Sequence, residues 1–337
     1  MLYMDASSMA AENTVFQDKI TAYIESVGEQ FNGVVLVGQG DNDVLYERAF
    51  GHIDTPQLNS QSVIGSVSKQ FTAAMVLKAV DEGLLSLHDP VGDNFENEAF
   101  KDVTFHQVLN NTSGIKDFDG PLRFTPGTQF LYSNAGFDLL GKTLVKKYKK
   151  PMWEIADSFF AKAGMTDSFS PQVGFIDEVK KEYPKLLRGY CFFEGGEEIS
   201  TDFEVSSNPS GGYISTVRDL WQWNKALHEG HILSEEVYKQ MITPSVLRVN
   251  RWGTIGYGYG IQIDGTGEQL ELSHNGLVQG YKTTLLYYPH QRLSLVIIEN
   301  YLNWSSTWTL EDQSRAFRVH DTIREIVKQE MIYSGQK

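Results

Sequence analysis

Strand character sits at the two ends of this chain and helical character in its middle, and that split limits the folds available to it. Near the start, the apolar runs 33–38 and 44–50 flank Gln-Gly-Asp-Asn-Asp, which is a hairpin signal. Near the end, 257–263, 270–273, 283–288 and 293–298 are again rich in β-branched and aromatic residues. Between them a 3.6-residue period predicts helices over 105–110, 134–148, 152–163 and 217–228. Their connecting loops carry Pro121, Pro126-Gly127, Pro171, the acidic 194–198 and Asn208-Pro-Ser-Gly-Gly212. Terminal helices are expected over 13–29 (Val15, Phe16, Ile20, Tyr23, Ile24, Val27) and 311–331 (Phe317, Val319 or His320, Ile323, Ile326, Val327). The expected fold class is α/β of the α+β kind: one antiparallel sheet from both chain ends, flanked by the terminal helices, with an inserted mostly helical subdomain. The domains then divide as 1–84 with 245–337 for the discontinuous sheet part and 85–244 for the helical part.

Within this frame the stretch 64–80 reads as a helix beginning near Ser66, with Phe71, Met75, Val80 and Leu84 on its apolar side and Gly83 as its stop. Lys69 falls three residues after Ser66, on the same face and within reach of the hydroxyl. Free amide N–H groups at the helix start favour an oxyanion there, and a serine beside a partly desolvated lysine is an activated nucleophile. The spacing Ser-x-x-Lys recurs at Ser113 to Lys116, in the turn-like Asn-Asn-Thr-Ser-Gly, and at Ser334 to Lys337, in a polar tail. Only Ser66 opens a long apolar-periodic helix. Read alone, Ser66 and Lys69 are better taken as a helix N-terminal residue and a solvated side chain.

Composition narrows the partners. A chain of 337 residues with net charge −14 is a poor match for nucleic acid or an anionic membrane, so a soluble small-molecule or peptide substrate is expected. Cys191 is the only cysteine, which excludes an internal disulfide and a cysteine-rich metal site. No apolar run reaches membrane-spanning length, and Met-Leu-Tyr-Met-Asp-Ala-Ser-Ser has neither the basic start nor the apolar core of a secretory signal. The expectation is a soluble protein, either cytoplasmic or exported and lacking its leader; oligomeric state is left open by the sequence.

Two more motifs carry chemistry. Tyr132-Ser-Asn134 follows the turn Thr125-Pro-Gly-Thr and precedes a helix; a tyrosine shuttles a proton when neighbouring cations favour its phenolate, and an asparagine both donates to and accepts from an amide. His274-Asn-Gly276 lies between two expected strands, where glycine lets a ligand approach the backbone. Tyr301-Leu-Asn303 and His228-Glu-Gly230 repeat the two patterns, so neither is specific by itself.

In combination and in this order, Ser66-x-x-Lys69, Tyr132-Ser-Asn134 and His274-x-Gly276 resemble the serine β-lactamase and penicillin-binding-protein superfamily, nearest to class C β-lactamases, soluble DD-peptidases and their esterase relatives. Supporting phrases are Leu109-Asn-Asn-Thr-Ser-Gly-Ile115, Pro126-Gly127, Gly211-Gly-Tyr-Ile-Ser-Thr216 and Tyr257-Gly-Tyr-Gly260, so the likeness spans roughly residues 30–300. The resemblance implies a metal-independent and cofactor-free serine hydrolase, with its active site between the two parts of the fold. It makes Ser66 the nucleophile that forms an acyl-enzyme and gives Lys69 with Tyr132 the proton relay. It also implies that Asn134 binds the substrate's side-chain amide, and that the backbone N–H groups of Ser66 and of Leu277, beside Gly276, form the oxyanion hole. The chain departs from the common Lys-Thr-Gly of β-lactamases by placing His274 where the lysine stands. A neutral imidazole grips a carboxylate less firmly, which favours a DD-peptidase, D-amino-acid peptidase or esterase over a strong β-lactamase. A weak class C-type β-lactamase and a non-catalytic penicillin-binding or scaffold protein are the alternatives. No Gly-x-Ser-x-Gly elbow and no His-Glu-x-x-His zinc motif occurs in the chain. Two loops, 115–125 and 183–210, are expected to shape specificity, with Tyr257, Tyr259, Phe118 and Tyr281 as either acyl-pocket or core residues.

Overall fold

The structure, a computed structural model, describes residues 6–94, 97–193, 196–305 and 307–333. Part of the acidic loop 194–198 and the pair Ser334 and Lys337 lie outside the described residues. Eight strands form one antiparallel sheet: β1 (Gly33–Gln39), β2 (Asp43–Phe50), β3 (Val246–Asn250), β4 (Gly253–Tyr257), β5 (Gln262–Asp264), β6 (Glu271–Val278), β7 (Tyr281–Tyr288) and β8 (Leu293–Glu299). Their spatial order is β2-β1-β8-β7-β6-β5-β4-β3. The two chain ends therefore meet inside the sheet, where β1 pairs with β8 and Val35 faces Ile297. Ten α-helices lie among the described residues: α1 (Ala6–Val27), α2 (Ser68–Asp81), α3 (Phe105–Leu109), α4 (Asn134–Tyr148), α5 (Met152–Lys162), α6 (Ile176–Glu182), α7 (Val217–His228), α8 (Glu235–Met241), α9 (Leu310–Ala316) and α10 (Arg318–Val327).

Both sheet faces are buried, which is why β1 and β8 read as unbroken apolar runs instead of alternating ones. On one face Val35, Val37, Leu295 and Ile297 pack against Phe16, Ile20 and Ile24 of α1 and Val319, Ile323 and Val327 of α10. On the other, Val34, Leu36, Val296 and Ile298 join a core that contains α2 and α7. Helix α7 lies so close that a Cβ on Gly38 would stand 2.4 Å from the Trp221 ring. Helix α2 is enclosed on all sides: Ser68 to Leu77 are buried without a break, and the Phe71 ring sits 4.2 Å from that of Trp223 and 5.3 Å from that of Phe160. A helix in that position has no wet face to pattern, so the single apolar side expected of it is not observed; Leu84 is exposed and Gly83, at φ +68°, ends it.

Several expected boundaries move. The run 257–263 is two strands, β4 and β5, folded back on each other with Tyr257 opposite Gln262. The turn between them contains Gly260 at φ +66°, where a Cβ would meet the Lys69 carbonyl oxygen at 2.6 Å. His274-Asn-Gly276 lies inside β6 and not between strands. The closing helix breaks at Phe317 into α9 and α10, and α1 starts earlier than expected, with Val15 exposed. Strand β3 and helices α6 and α8 are additions to the expected elements.

Candidate active site

Ser66 occupies a 3-10 turn, Gly65–Val67, that runs directly into α2. Gly65 holds φ +52°, a left-handed conformation that costs any other residue strain. One helical turn on, Lys69 is completely buried, and its Nζ donates to Ser66 Oγ (3.2 Å), to Asn134 Oδ1 (2.7 Å) and to the Ser210 carbonyl oxygen (2.6 Å). Three acceptors match the three N–H bonds of an ammonium. Asn134 is delivered by the start of α4, where Ser133 Oγ caps the Gly136 N–H at 2.9 Å. The Ser210 peptide is held in turn by Asn208 Oδ1, which accepts from its N–H (2.9 Å) and its hydroxyl (2.7 Å), and by Asp138, one turn beyond Asn134 on α4 (3.2 Å). Burial pushes the Asp138 carboxyl above its ordinary range, opposed by Ser210 and Lys69.

Asn111 clamps the backbone on both sides of Tyr132. Its carbonyl oxygen accepts from Leu131 N–H (2.8 Å) and its Oδ1 from Ser133 N–H (2.9 Å), with Asn111 itself at φ +61°. The Tyr132 ring then stands with Lys69 Nζ 4.8 Å from its centre, the His274 ring at 6.2 Å and the Arg248 guanidinium at 5.4 Å. Of the hydroxyl, amine and phenol expected within hydrogen-bond range, Ser66 and Lys69 are bonded, whereas the Tyr132 hydroxyl has no hydrogen bond among the described residues. The amine's three bonds go elsewhere, and it meets the ring instead of its oxygen.

His274 is buried on β6, with Nδ1 2.8 Å from the Asn275 carbonyl oxygen and Nε2 3.2 Å from the Tyr257 hydroxyl. Burial first, then the charge of Lys69, pulls its pKa down to about 3 against the bond to Asn275, so the ring is neutral. Nδ1–H donates to the carbonyl, which leaves Nε2 to accept from Tyr257, whose phenol burial holds well above its ordinary value. Next on the strand, Gly276 runs against the Ser66 turn: a Cβ there would stand 1.9 Å from the Ile64 carbonyl oxygen. A Cβ on Gly65 would stand 2.7 Å from Leu277 N. Bare backbone at both positions brings the Leu277 N–H alongside the serine.

Ser66 opens into two cavities. One, about 320 Å³, is walled by Tyr132, Arg248, His274, Leu277, Trp308 and Phe317. The other, about 270 Å³, is walled by Asn134, Phe203, Ser206, Ser210 and Leu277. The 183–210 segment thus reaches the nucleophile, while Phe118 of 115–125 lines a separate hollow under Lys142. Tyr259 and Tyr281 are core residues, bonded to His106 Nδ1 (2.7 Å) and the Leu187 carbonyl oxygen (2.9 Å), and Tyr257 touches the site through His274. Ser113 is buried and accepts from Ile115 N–H (3.2 Å), which gives the second Ser-x-x-Lys a turn role.

The sequence reading missed Asn111, Asp138, Ser210 and Arg248. Arg248 carried a usable signal: Leu247-Arg-Val-Asn250 alternates between apolar and polar residues, but its apolar members Leu247 and Val249 are exposed, 66% and 63%, and Arg248 lines the cavity. Among the described residues no group of His, Cys, Asp and Glu is placed to hold a metal ion, and no helix is long and apolar enough to cross a membrane.

The profile of the family described as Beta-lactamase matches residues 16–318. The chain belongs to the Beta-lactamase family. It is 26% identical over 324 residues to Penicillin-binding protein 4* of Bacillus subtilis (strain 168), covering 82% of this chain and 70% of that protein. It is 24% identical over 321 residues to a D-aminopeptidase of Brucella anthropi, covering 84% of this chain and 59% of that one, so it spans about three fifths of the latter's length. A D-amino acid amidase from Ochrobactrum anthropi SV3 superposes with TM-score 0.77 at 19% identity, over 95% of this chain and 99% of that chain, which is a likeness of fold. Family and relatives together place the chain among the serine hydrolases related to penicillin-binding proteins.

Proposed function

We propose that this protein cleaves a peptide, ester or β-lactam carbonyl through an acyl-enzyme on Ser66, acting as a DD-peptidase, a D-amino-acid peptidase or an esterase. The observation that carries the reading is the buried amine of Lys69 on the Ser66 hydroxyl at 3.2 Å. In this scheme Lys69, as the free amine, takes the proton of the Ser66 hydroxyl while the Ser66 oxygen attacks the carbonyl carbon. The ammonium so formed has the three N–H bonds for which three acceptors stand ready. A proton then passes by way of Tyr132 to the departing amine or alcohol, and water releases the acyl group by the reverse route. Asn134, already bonded to Lys69, presents its amide to the acyl side of the substrate. The N–H groups of Ser66 and Leu277 receive the oxyanion, an arrangement in which each donor is worth about 2.7–4 kcal/mol of barrier. The cleft between a sheet part, 1–84 with 245–337, and a helical part, 85–244, belongs to the same reading.

A neutral His274 supports the peptidase and esterase branches over a weak class C-type β-lactamase, because it offers a β-lactam carboxylate no permanent charge. A non-catalytic scaffold has no use for a lysine buried on a serine. Labelling with a fluorescent penicillin and a fluorophosphonate tests the proposal: wild type takes up label and Ser66→Ala does not. Equal labelling of the two overturns it. Turnover of p-nitrophenyl acetate and nitrocefin then separates esterase from β-lactamase.

A further inference from the structure

The sheet face that meets α1 and α10 is apolar over most of its area and turns polar at one end. Strand alternation puts Leu293, Leu295, Ile297 and Glu299 of β8 on it, with Tyr288, Leu286, Thr284 and Lys282 of β7 alongside. The first three of β8 and the first two of β7 belong to the apolar core under α1 and α10. The polar members come where β6 passes the Ser66 turn: Thr284 stands opposite Asn275, and Lys282 opposite Leu277. Thr284, Glu299 and His320 of α10 are all buried. Burying such groups is costly unless each finds a partner, and apolar side chains of similar size would serve stability as well. A polar patch at that one place therefore calls for a use.

Its hydrogen bonds have a direction, and they converge on Asn275. Arg251 can only donate; its Nη2 reaches Asn275 Oδ1 at 3.2 Å, while Nε and Nη2 hold Asp321 of α10 at 2.8–3.1 Å. Thr284 gives its single hydroxyl proton to the same Oδ1 at 3.0 Å, so it accepts from His320 Nδ1–H at 2.8 Å. His320 Nε2 then meets Glu299 Oε2 at 2.9 Å, with one proton between the two groups. Lys282 Nζ reaches that oxygen at 2.9 Å and donates on to the Ala316 carbonyl oxygen of α9 at 2.9 Å. The Asn275 side chain is thus fastened to α10 by two routes.

Through its backbone the same residue meets the active site. The Asn275 carbonyl oxygen takes the Nδ1–H of His274 at 2.8 Å, and Gly276, which follows, runs against the Ile64 carbonyl and leads to the Leu277 N–H. Gly276 offers no side chain by which the strand could be held, so the hold falls on Asn275.

Building on the serine-hydrolase reading, we propose that Asn275 is a positioning residue of this site, anchored from behind the sheet by Arg251 and Thr284. It acts through its neighbours: its carbonyl keeps the His274 ring in the Nδ1–H form, and its anchored side chain holds the Leu277 N–H in line with the oxyanion.

Thr284 provides the test, because it is buried and does not line the cavity, so a change there acts without touching substrate. Thr284→Val keeps the shape and removes the hydroxyl; Thr284→Ser keeps the hydroxyl. Fluorophosphonate labelling of Ser66 is followed against reagent concentration, and the imidazole Nδ1–H of His274 is followed by NMR of protein carrying ¹⁵N-histidine. Thr284→Val is expected to lower the maximal labelling rate by about 10-fold, with the half-saturating concentration unchanged, and to broaden or abolish the His274 signal. Asn275→Leu does the same or more, and Thr284→Ser stays near wild type in both. Wild-type rate and signal in Thr284→Val, or a Thr284→Ser protein as impaired as Thr284→Val, overturns the proposal. The two readings separate cleanly: a wild type that takes up no label, with a His274 signal lost in Thr284→Val and kept in Thr284→Ser, removes the hydrolase reading and leaves the anchoring of Asn275 standing.

Discussion

Leu277 N lies 2.7 Å from the point where a Cβ on Gly65 would stand. Strand β6 and the Ser66 turn are thus in contact through backbone at a place where no side chain fits, and Gly65 is also held at φ +52°. Gly65→Ala has to push β6 away and accept a strained dihedral, at a cost of about 1–3 kcal/mol for the backbone alone. The expected outcome is a folded protein with a lowered melting temperature and kcat/KM down by about 10²-fold, since a displacement near 1 Å in an aligned site costs that much. Thermal unfolding and ester hydrolysis measured on the same preparation check both.

Lys69 is a buried amine whose three bonds tie together Ser66, α4 and the Ser210 loop. Lys69→Met preserves the length of the side chain and removes the base. Acylation by a fluorophosphonate is expected to slow by about 10²–10⁴-fold, the range of a single acid–base group. A variant that labels at the wild-type rate places the base elsewhere.

Asn111 acts on Tyr132 at one remove, through the amides of Leu131 and Ser133. Asn111→Gly keeps the φ +61° backbone accessible and deletes only the side-chain acceptor, leaving the Ser133 N–H without its partner. The expected effect is a fall in kcat of about 10-fold or more with a smaller change in KM, because the substrate does not touch Asn111. Steady-state kinetics with one ester substrate distinguishes this from a general loss of folded enzyme, which scales kcat without altering the melting profile of the remainder.

His274 is buried and His228 half-buried with its Nε2 shielded from solvent, and desolvation pulls each down to about 3 from an ordinary 6.5. The unfolded chain takes up these protons near pH 6.5, while the folded chain does not until pH falls to about 3. The unfolded state therefore binds more protons throughout that window, and stability is lost as pH falls through it. Each histidine is expected to remove roughly 2 kcal/mol between pH 6.5 and 5. Urea midpoints at pH 7 and pH 5 measure the loss, and His228→Gln makes it smaller by the His228 share. The same depression keeps His274 neutral across pH 5–8, so an acid limb of the pH–rate profile in that range belongs to other groups.

How far the chain could be read follows from where each contact originates. The 33–38 and 44–50 hairpin, the helices at 134–148 and 217–228, and the placement of Lys69 above Ser66 depend on neighbours within one or two turns, and all stand as the pattern predicts. Enclosed α2 misled the reading of its faces, because a helix buried on all sides has no polar stripe to set a direction. Tyr257 and Ile263 were read as one strand because both are apolar, yet the two glycines between them let the chain fold back against Lys69.

The sequence alone determined the local units: which segments become strands or helices, and that a hydroxyl and an amine share a helical turn and a tyrosine precedes an asparagine at a helix start. Only the tertiary structure decided that the amine's strongest acceptor is a carbonyl 141 residues away, that His274 is sealed and uncharged, and that Asn275 is anchored by Arg251 and Thr284. Periodicity records the faces of single elements, whereas these facts arise from sheet register and from backbones meeting at Gly65, Gly260 and Gly276, and no short-range pattern encodes those approaches.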